Sequence, residues 1–134
     1  MTETNSSFNA LNEFVSKHIK PVLIQELDNR DSIHLYSIGD YWMAFDKSAY
    51  ALYLLMDDGE SPTLLTLRDY PFPVMMKSIH SQVADKLLFT QDVAKWTLDY
   101  RRLVTKPIDR DAYRKWCDEY LEEFVGADGE EGLL

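Results

Sequence analysis

Apolar positions along the chain follow two periods, and the changes from one to the other mark its elements. Over residues 6–29, Phe8, Leu11, Val15, Ile19, Val22 and Leu27 recur at near-helical spacing, which predicts an amphipathic helix. Ser6 or Ser7 is placed to cap its start. Pro21 interrupts the pattern, so the helix either kinks there or a second helix opens with proline at its first position. Asn29-Arg30-Asp31 ends the segment.

The period then shortens. Ile33, Leu35, Tyr36 and Ile38 form one run and Tyr41 to Phe45 another, on either side of Gly39-Asp40, the pattern of a β-hairpin. Asp46 or Ser48 is positioned to cap a helix from Ala49 to Met56, whose apolar residues on nearly every side predict burial. Asp57-Asp58-Gly59 stops it, with Gly59 suited to a left-handed exit. Residues 63–67 read as a short strand, and Arg68 to Pro73, with prolines at 71 and 73, as a loop. Residues 74–79 lean towards strand. Residues 81–89 fit either element, with Leu87-Leu88-Phe89 as their buried part.

In the last third, Thr90 is expected to cap a helix in which Val93, Trp96, Thr97, Tyr100, Leu103 and Val104 share a face, ended by Lys106-Pro107. Asp109 caps the final helix, with Ile108 and Tyr113 in the positions of a hydrophobic staple. Tyr113, Trp116, Cys117, Tyr120, Leu121 and Phe124 line one side of it, and Gly126 is its natural end. Residues 1–126 are thus expected to form a single domain, followed by an acidic flexible tail over 127–134. Strands gathered mid-chain between helices predict an α+β fold: a small, mostly antiparallel sheet packed against N- and C-terminal helices.

Composition narrows the function more than the fold. The chain of 134 residues carries a net charge of −9, a field that repels phosphate backbones and makes direct nucleic-acid binding an unlikely role. The charge is segregated: residues 95–115 hold 7 basic and 3 acidic side chains, whereas 116–134 hold 7 acidic and none basic. Solvated helix faces explain such a split, as does a basic patch awaiting an acidic partner or another subunit. No run approaches the ~20 apolar residues of a membrane span. A single cysteine, Cys117, excludes an internal disulfide, and the start Met1-Thr2-Glu3-Thr4-Asn5 lacks the pattern of a secretory leader, so a cytoplasmic location is expected.

Catalytic motifs are absent. The five glycines at 39, 59, 126, 129 and 132 build neither a dinucleotide-binding turn nor a P-loop, and no serine sits in a nucleophile elbow. The histidines at 18, 34 and 80 are too scattered for a helical metal motif, although His34 and His80 could meet in space with carboxylates. Cys117 falls on the apolar side of a helix, a core position. Asp57 to Glu60 lacks the ligand spacing of a calcium loop. No catalytic residue, metal site or cofactor is assigned.

Aromatic residues are the remaining signal. Six Phe, three Trp and eight Tyr occur in the chain, and Tyr36, Tyr41, Trp42, Phe45, Tyr50, Tyr53, Tyr70 and Phe72 cluster in its middle. Tyrosine keeps its hydroxyl hydrated or bonded, so such a cluster suggests a recognition surface. The residues expected to bind are Tyr41, Trp42, Tyr70 and Phe72. The leading expectation is a non-enzymatic protein-interaction or regulatory module with a protein partner or a second copy. The first alternative is a small-molecule-binding domain or small enzyme with a site near the Tyr41/Trp42 hairpin and His34 or His80. The second is an acidic nucleic-acid mimic displaying Asp118, Glu119, Glu122 and Glu123.

Overall fold

The computed structural model describes the backbone of residues 3–132 and the side chains of residues 9–123. Ten elements follow in order: α1 (Glu3–Leu27), β1 (Ser32–Ile38), β2 (Tyr41–Phe45), α2 (Asp46–Met56), β3 (Thr63–Leu65), β4 (Val74–His80), α3 (Ser81–Thr90), β5 (Asp92–Trp96), β6 (Tyr100–Val104) and α4 (Arg110–Gly132). The six strands form one antiparallel sheet in the order β3-β4-β2-β1-β6-β5. With helices at both ends of the chain, the fold is α+β.

Side-chain alternation divides the core between the two faces of the sheet. Ile33, Leu35, Trp42, Ala44, Met75, Ile79 and Leu103 point to the face covered by α2, α3 and α4. Ile38, Met43, Phe45, Val74 and Met76 point to the face covered by α1 through Ile19 and Val22. The single helix α1 packs on β1, β2 and β4, and among the described residues no helix packs on β6 or β5 on that side, an asymmetry that leaves surface free for function.

The β1–β2 hairpin turns as its sequence predicts, with Gly39 at φ 62°. Residues 74–80 form a strand and 81–90 a helix, which resolves the two ambiguous segments. The proline at 21 lies within one continuous helix. On α1 the expected apolar stripe is partly misplaced: Leu27 is exposed, and Glu26 takes the inward position beside it. Asp57, rather than Gly59, is the left-handed residue that ends α2, at φ 47°.

Neither Asp46 nor Ser48 caps α2 with its side chain. Glu26 does so from α1: its Oε1 accepts from the Ser48 amide at 2.8 Å and its Oε2 from the Ser48 hydroxyl at 2.7 Å. Asn29 Nδ2 donates to Glu26 Oε1, Ser32 O and Ser48 Oγ, and the His34 amide donates to Ser48 Oγ. One buried polar knot thereby fixes the end of α1, the start of β1 and the start of α2 relative to each other. Lys77, a second inward charge, donates to the Asp58 carboxylate at 3.2 and 3.3 Å.

The largest departure from expectation lies between Thr90 and Lys106. The expected helix is a hairpin, β5–β6, with Thr97 N donating to Tyr100 O at 2.9 Å across its tip. Beyond it, Asp109 Oδ1 accepts from the amides of Asp111 and Ala112 and caps α4 as predicted. The helix runs through Gly126 to Gly132, because an interior glycine costs only ~1 kcal/mol and backbone bonds carry the turns onward. Residues 133 and 134, and the side chains of the expected tail, lie outside the described residues.

Candidate functional site

The β5–β6 hairpin and the end of α3 before it carry several strongly exposed large apolar side chains. β6 pairs with β1 on its inner side, and β5 pairs only with β6, so the outer edge of β5 has no partner strand. Trp96 at the end of β5 is 62% exposed and Leu98 at the tip 93% exposed. Phe89, on the last turn of α3 just before β5, is 92% exposed. The open edge is therefore bracketed by an apolar side chain at each end.

The hairpin is held to the body by a stack. The Arg101 guanidinium lies 4.7 Å from the Trp42 ring centroid on one side and 3.9 Å from that of Trp96 on the other. Arg101 is buried; its Nη1 donates to the Tyr100 carbonyl and its Nε has no hydrogen-bond partner among the described residues. Trp96 therefore presents one face to a fixed cation and the other to solvent. A β-bulge between Val93 and Lys95 puts Val93 and Trp96 on the α2–α4 face, and Asp92 and Lys95 on the α1 face.

The four residues expected to bind do not form one surface. Trp42 is buried in the core beneath Arg101. Tyr41 is at the exposed margin, edge-on to His80 at 5.5 Å. Tyr70 packs against the α1-side core and is half-buried, and only Phe72 is fully free. Tyr41 pairs with His80 at one end of β4, whereas Tyr70 and Phe72 precede Val74 at the other, about 20 Å away along the strand. Adjacent numbers had suggested one patch; the antiparallel register places the two pairs at opposite ends of the sheet. Trp96, placed on the face of an expected helix, and Leu98, within that same expected helix, were not among the residues expected to bind. Burial alternates along Tyr100 to Val104, but the inward position 101 holds an arginine, so the residue types do not alternate and no local signal marked the strand.

Other candidate groups are accounted for locally. His80 Nδ1 accepts from the Gln82 amide and caps α3. His34 is buried on β1, two strands away from β4, with Nδ1 at 2.6 Å from the Tyr100 hydroxyl. Among the described residues no three His, Cys, Asp or Glu side chains lie close enough to hold a metal. Burial pushes the Cys117 thiol up to about 11, which disfavours the thiolate a nucleophile needs. Asp58 serves the turn after α2, accepting from the Glu60 amide and from Lys77. Asp118, Glu119, Glu122 and Glu123 are exposed along α4. Among the described residues no helix is long and apolar enough to cross a membrane. No protein-family model, curated protein or solved structure matches the chain.

Proposed function

We propose that the protein is a non-enzymatic interaction module that docks through the β5 edge, and that its partner is a second copy of the same chain. The observation that carries this reading is the unpaired edge strand bracketed by Phe89 and Leu98. A twofold axis near the middle of β5 makes that arrangement self-complementary, as an isologous interface requires. Antiparallel addition with Val93 opposite Trp96 of the second copy joins two apolar side chains of the same face, twice. It also places Asp92 diagonal to Lys95 of the second copy and brings Phe89 to the Leu98 end of its mate. The bulge and Lys95 discourage pairing with a generic flat strand, whereas a copy bearing the same bulge and an acidic residue in register fits.

Light scattering on the purified chain should therefore give the mass of two chains as concentration rises. Phe89→Lys and Leu98→Lys change exposed side chains and should each weaken association by about tenfold or more, with the melting temperature unchanged. A strictly monomeric chain at high concentration, or a dimer indifferent to both substitutions, rules the reading out.

A further inference from the structure

The part of the sheet that α1 leaves bare on its own side is a graded groove. A cavity of about 540 Å³ lies where α1 overhangs β1, lined by Phe14, Pro21, Val22, Tyr36 and Tyr100 among others. A second, of about 460 Å³, adjoins it across Gln25 and Tyr100, which line both. The range for small-molecule sites is roughly 300–1,000 Å³, and each cavity alone reaches it.

Aromatic rings form one wall along the length of this groove. Phe14 lies 5.3 Å from Tyr36, Tyr36 5.4 Å from Tyr100, and Tyr100 is stacked on His34 at 5.9 Å between centroids. The hydroxyls are held at fixed points: Tyr36 donates to Gln25 Oε1, and Tyr100 is bonded to His34 Nδ1. Burial first, and the Arg102 charge second, hold the His34 imidazole down at about 4, so the ring is neutral at pH 7.

The far end is cationic. Arg30, Lys95 and Arg102 line the second cavity together with Asp28 and Asp31, yet among the described residues no carboxylate comes within 4.0 Å of any of the three cations. Arg102 is aimed, because its Nε donates to Ser32 Oγ at 3.0 Å, and the outer N–H groups of the guanidinium fork remain for a planar acceptor. Lys95 Nζ sits 5.8 Å above the Tyr100 ring, close to the boundary between the aromatic and cationic parts. A small region of this acidic chain thus gathers unpaired positive charge at the end of an aromatic wall.

The geometry points to a binding site for a small aromatic anion, its ring against Tyr36 and Tyr100 and its carboxylate or phosphate at Arg102 and Lys95. This ligand class needs both halves: the rings alone fit any apolar body, and the cations alone fit any anion. The site faces α1 and shares Lys95 with the outer edge of β5, but Tyr36, Tyr100, His34 and Arg102 lie off that edge, so Arg102→Gln alone tests it apart from self-association.

The test titrates the full chain with benzoate and phenyl phosphate, with benzyl alcohol and inorganic phosphate as the half-ligands, following the NMR signals of Tyr36, Tyr100 and His34. Binding of benzoate or phenyl phosphate that shifts these signals, with each half-ligand weaker by about tenfold, is the expected result. Which of the two binds tells carboxylate from phosphate. Arg102→Gln combined with Lys95→Gln alters exposed side chains, and should weaken binding by about tenfold with an unchanged unfolding midpoint. The proposal is overturned if neither ligand shifts those signals or the double variant binds as the parent does. It is equally overturned if benzyl alcohol matches benzoate and inorganic phosphate matches phenyl phosphate.

Discussion

Trp116→Ala should lower the unfolding free energy by about 3–5 kcal/mol, a large share of the ~5–15 kcal/mol that holds a typical domain together. Trp116 is 6% exposed and is the main side chain by which α4 grips the body. Its ring lies 5.2 Å from Tyr50 and 5.5 Å from Tyr53 on α2, and 5.7 Å from Tyr120 on its own helix. Truncation removes the shared wall of these rings and leaves a cavity that α4, packed on α2 and tied just before its start by Ile108 N to Arg30 O, cannot simply collapse into. The indole Nε1 has no hydrogen-bond partner among the described residues, so the ring matters here as a hydrophobic body and not as a donor. Trp116→Phe should therefore cost much less, about 1–1.5 kcal/mol, since it keeps an aromatic ring and removes an unpaired donor. Urea denaturation of the three proteins checks the pair. Equal midpoints for Ala and the parent would remove Trp116 from the core, and a Phe variant as damaged as Ala would show that the N–H is bonded.

The second large effect is on pH dependence, and it runs opposite to ordinary acid denaturation. Glu26 is 2% exposed, and among the described residues no cation is bonded to it. Burial raises its carboxyl from 4.5 to about 7, against the lowering pull of its bonds to Ser48 and Asn29. Burial likewise raises Asp46 from 3.8 to about 6. An acid whose folded pKa lies above its unfolded value binds more protons when folded, so its contribution to stability grows as pH falls from the folded to the unfolded pKa. For Glu26 that window is roughly pH 7 down to 4.5, and the full shift corresponds to ~3 kcal/mol. His34 opposes it: its depressed pKa makes the unfolded state the better proton acceptor between about 6.5 and 4. Two carboxyls outweigh one imidazole, so the chain should be more stable near pH 5 than at pH 8.

Glu26→Gln isolates the larger contribution, because His34 and Asp46 are common to both proteins. The amide keeps an acceptor for the Ser48 N–H and carries no charge. The variant should match the parent near pH 5 and exceed it at pH 8 by about 1–3 kcal/mol. Denaturation midpoints across that range provide the measurement. Parallel profiles for the two proteins would show that Glu26 does not titrate there.

Elements whose signals are local were legible in the sequence. The β1–β2 hairpin declared itself through alternating apolar residues and a glycine at the one turn position that needs positive φ. The start of α4 was readable from Asp109, whose carboxylate reaches amides only two and three residues on. The β5–β6 hairpin was misread for a specific reason. In a regular strand, residues on one face are two apart. The bulge at Ala94 moves Val93 and Trp96 to the same face three residues apart, and the tip carries the chain over to Tyr100, so the spacing imitates a helix turn for turn. Arg101, a charged residue on an inward position, further hid the alternation, because its burial depends on two tryptophans 59 positions and 5 positions before it closing around it — a fact of sheet pairing, not of neighbouring sequence.

What the sequence determined by itself was the α+β class, most element boundaries up to His80, the last helix and its cap, and the absence of catalytic motifs. These rest on periodicity and on hydrogen bonds between near neighbours. The tertiary structure alone decided which strand lies beside which, so that β6 joins β1 and the two halves of the expected aromatic patch part to opposite ends of the sheet. It decided that α2 is capped by a glutamate 22 residues away. It also decided that β5 ends the sheet, which leaves its edge open, and that one helix covers only part of its sheet face, which leaves the groove. Each of these is a contact between residues distant in sequence, set by which apolar faces are buried together, and no local period encodes that choice.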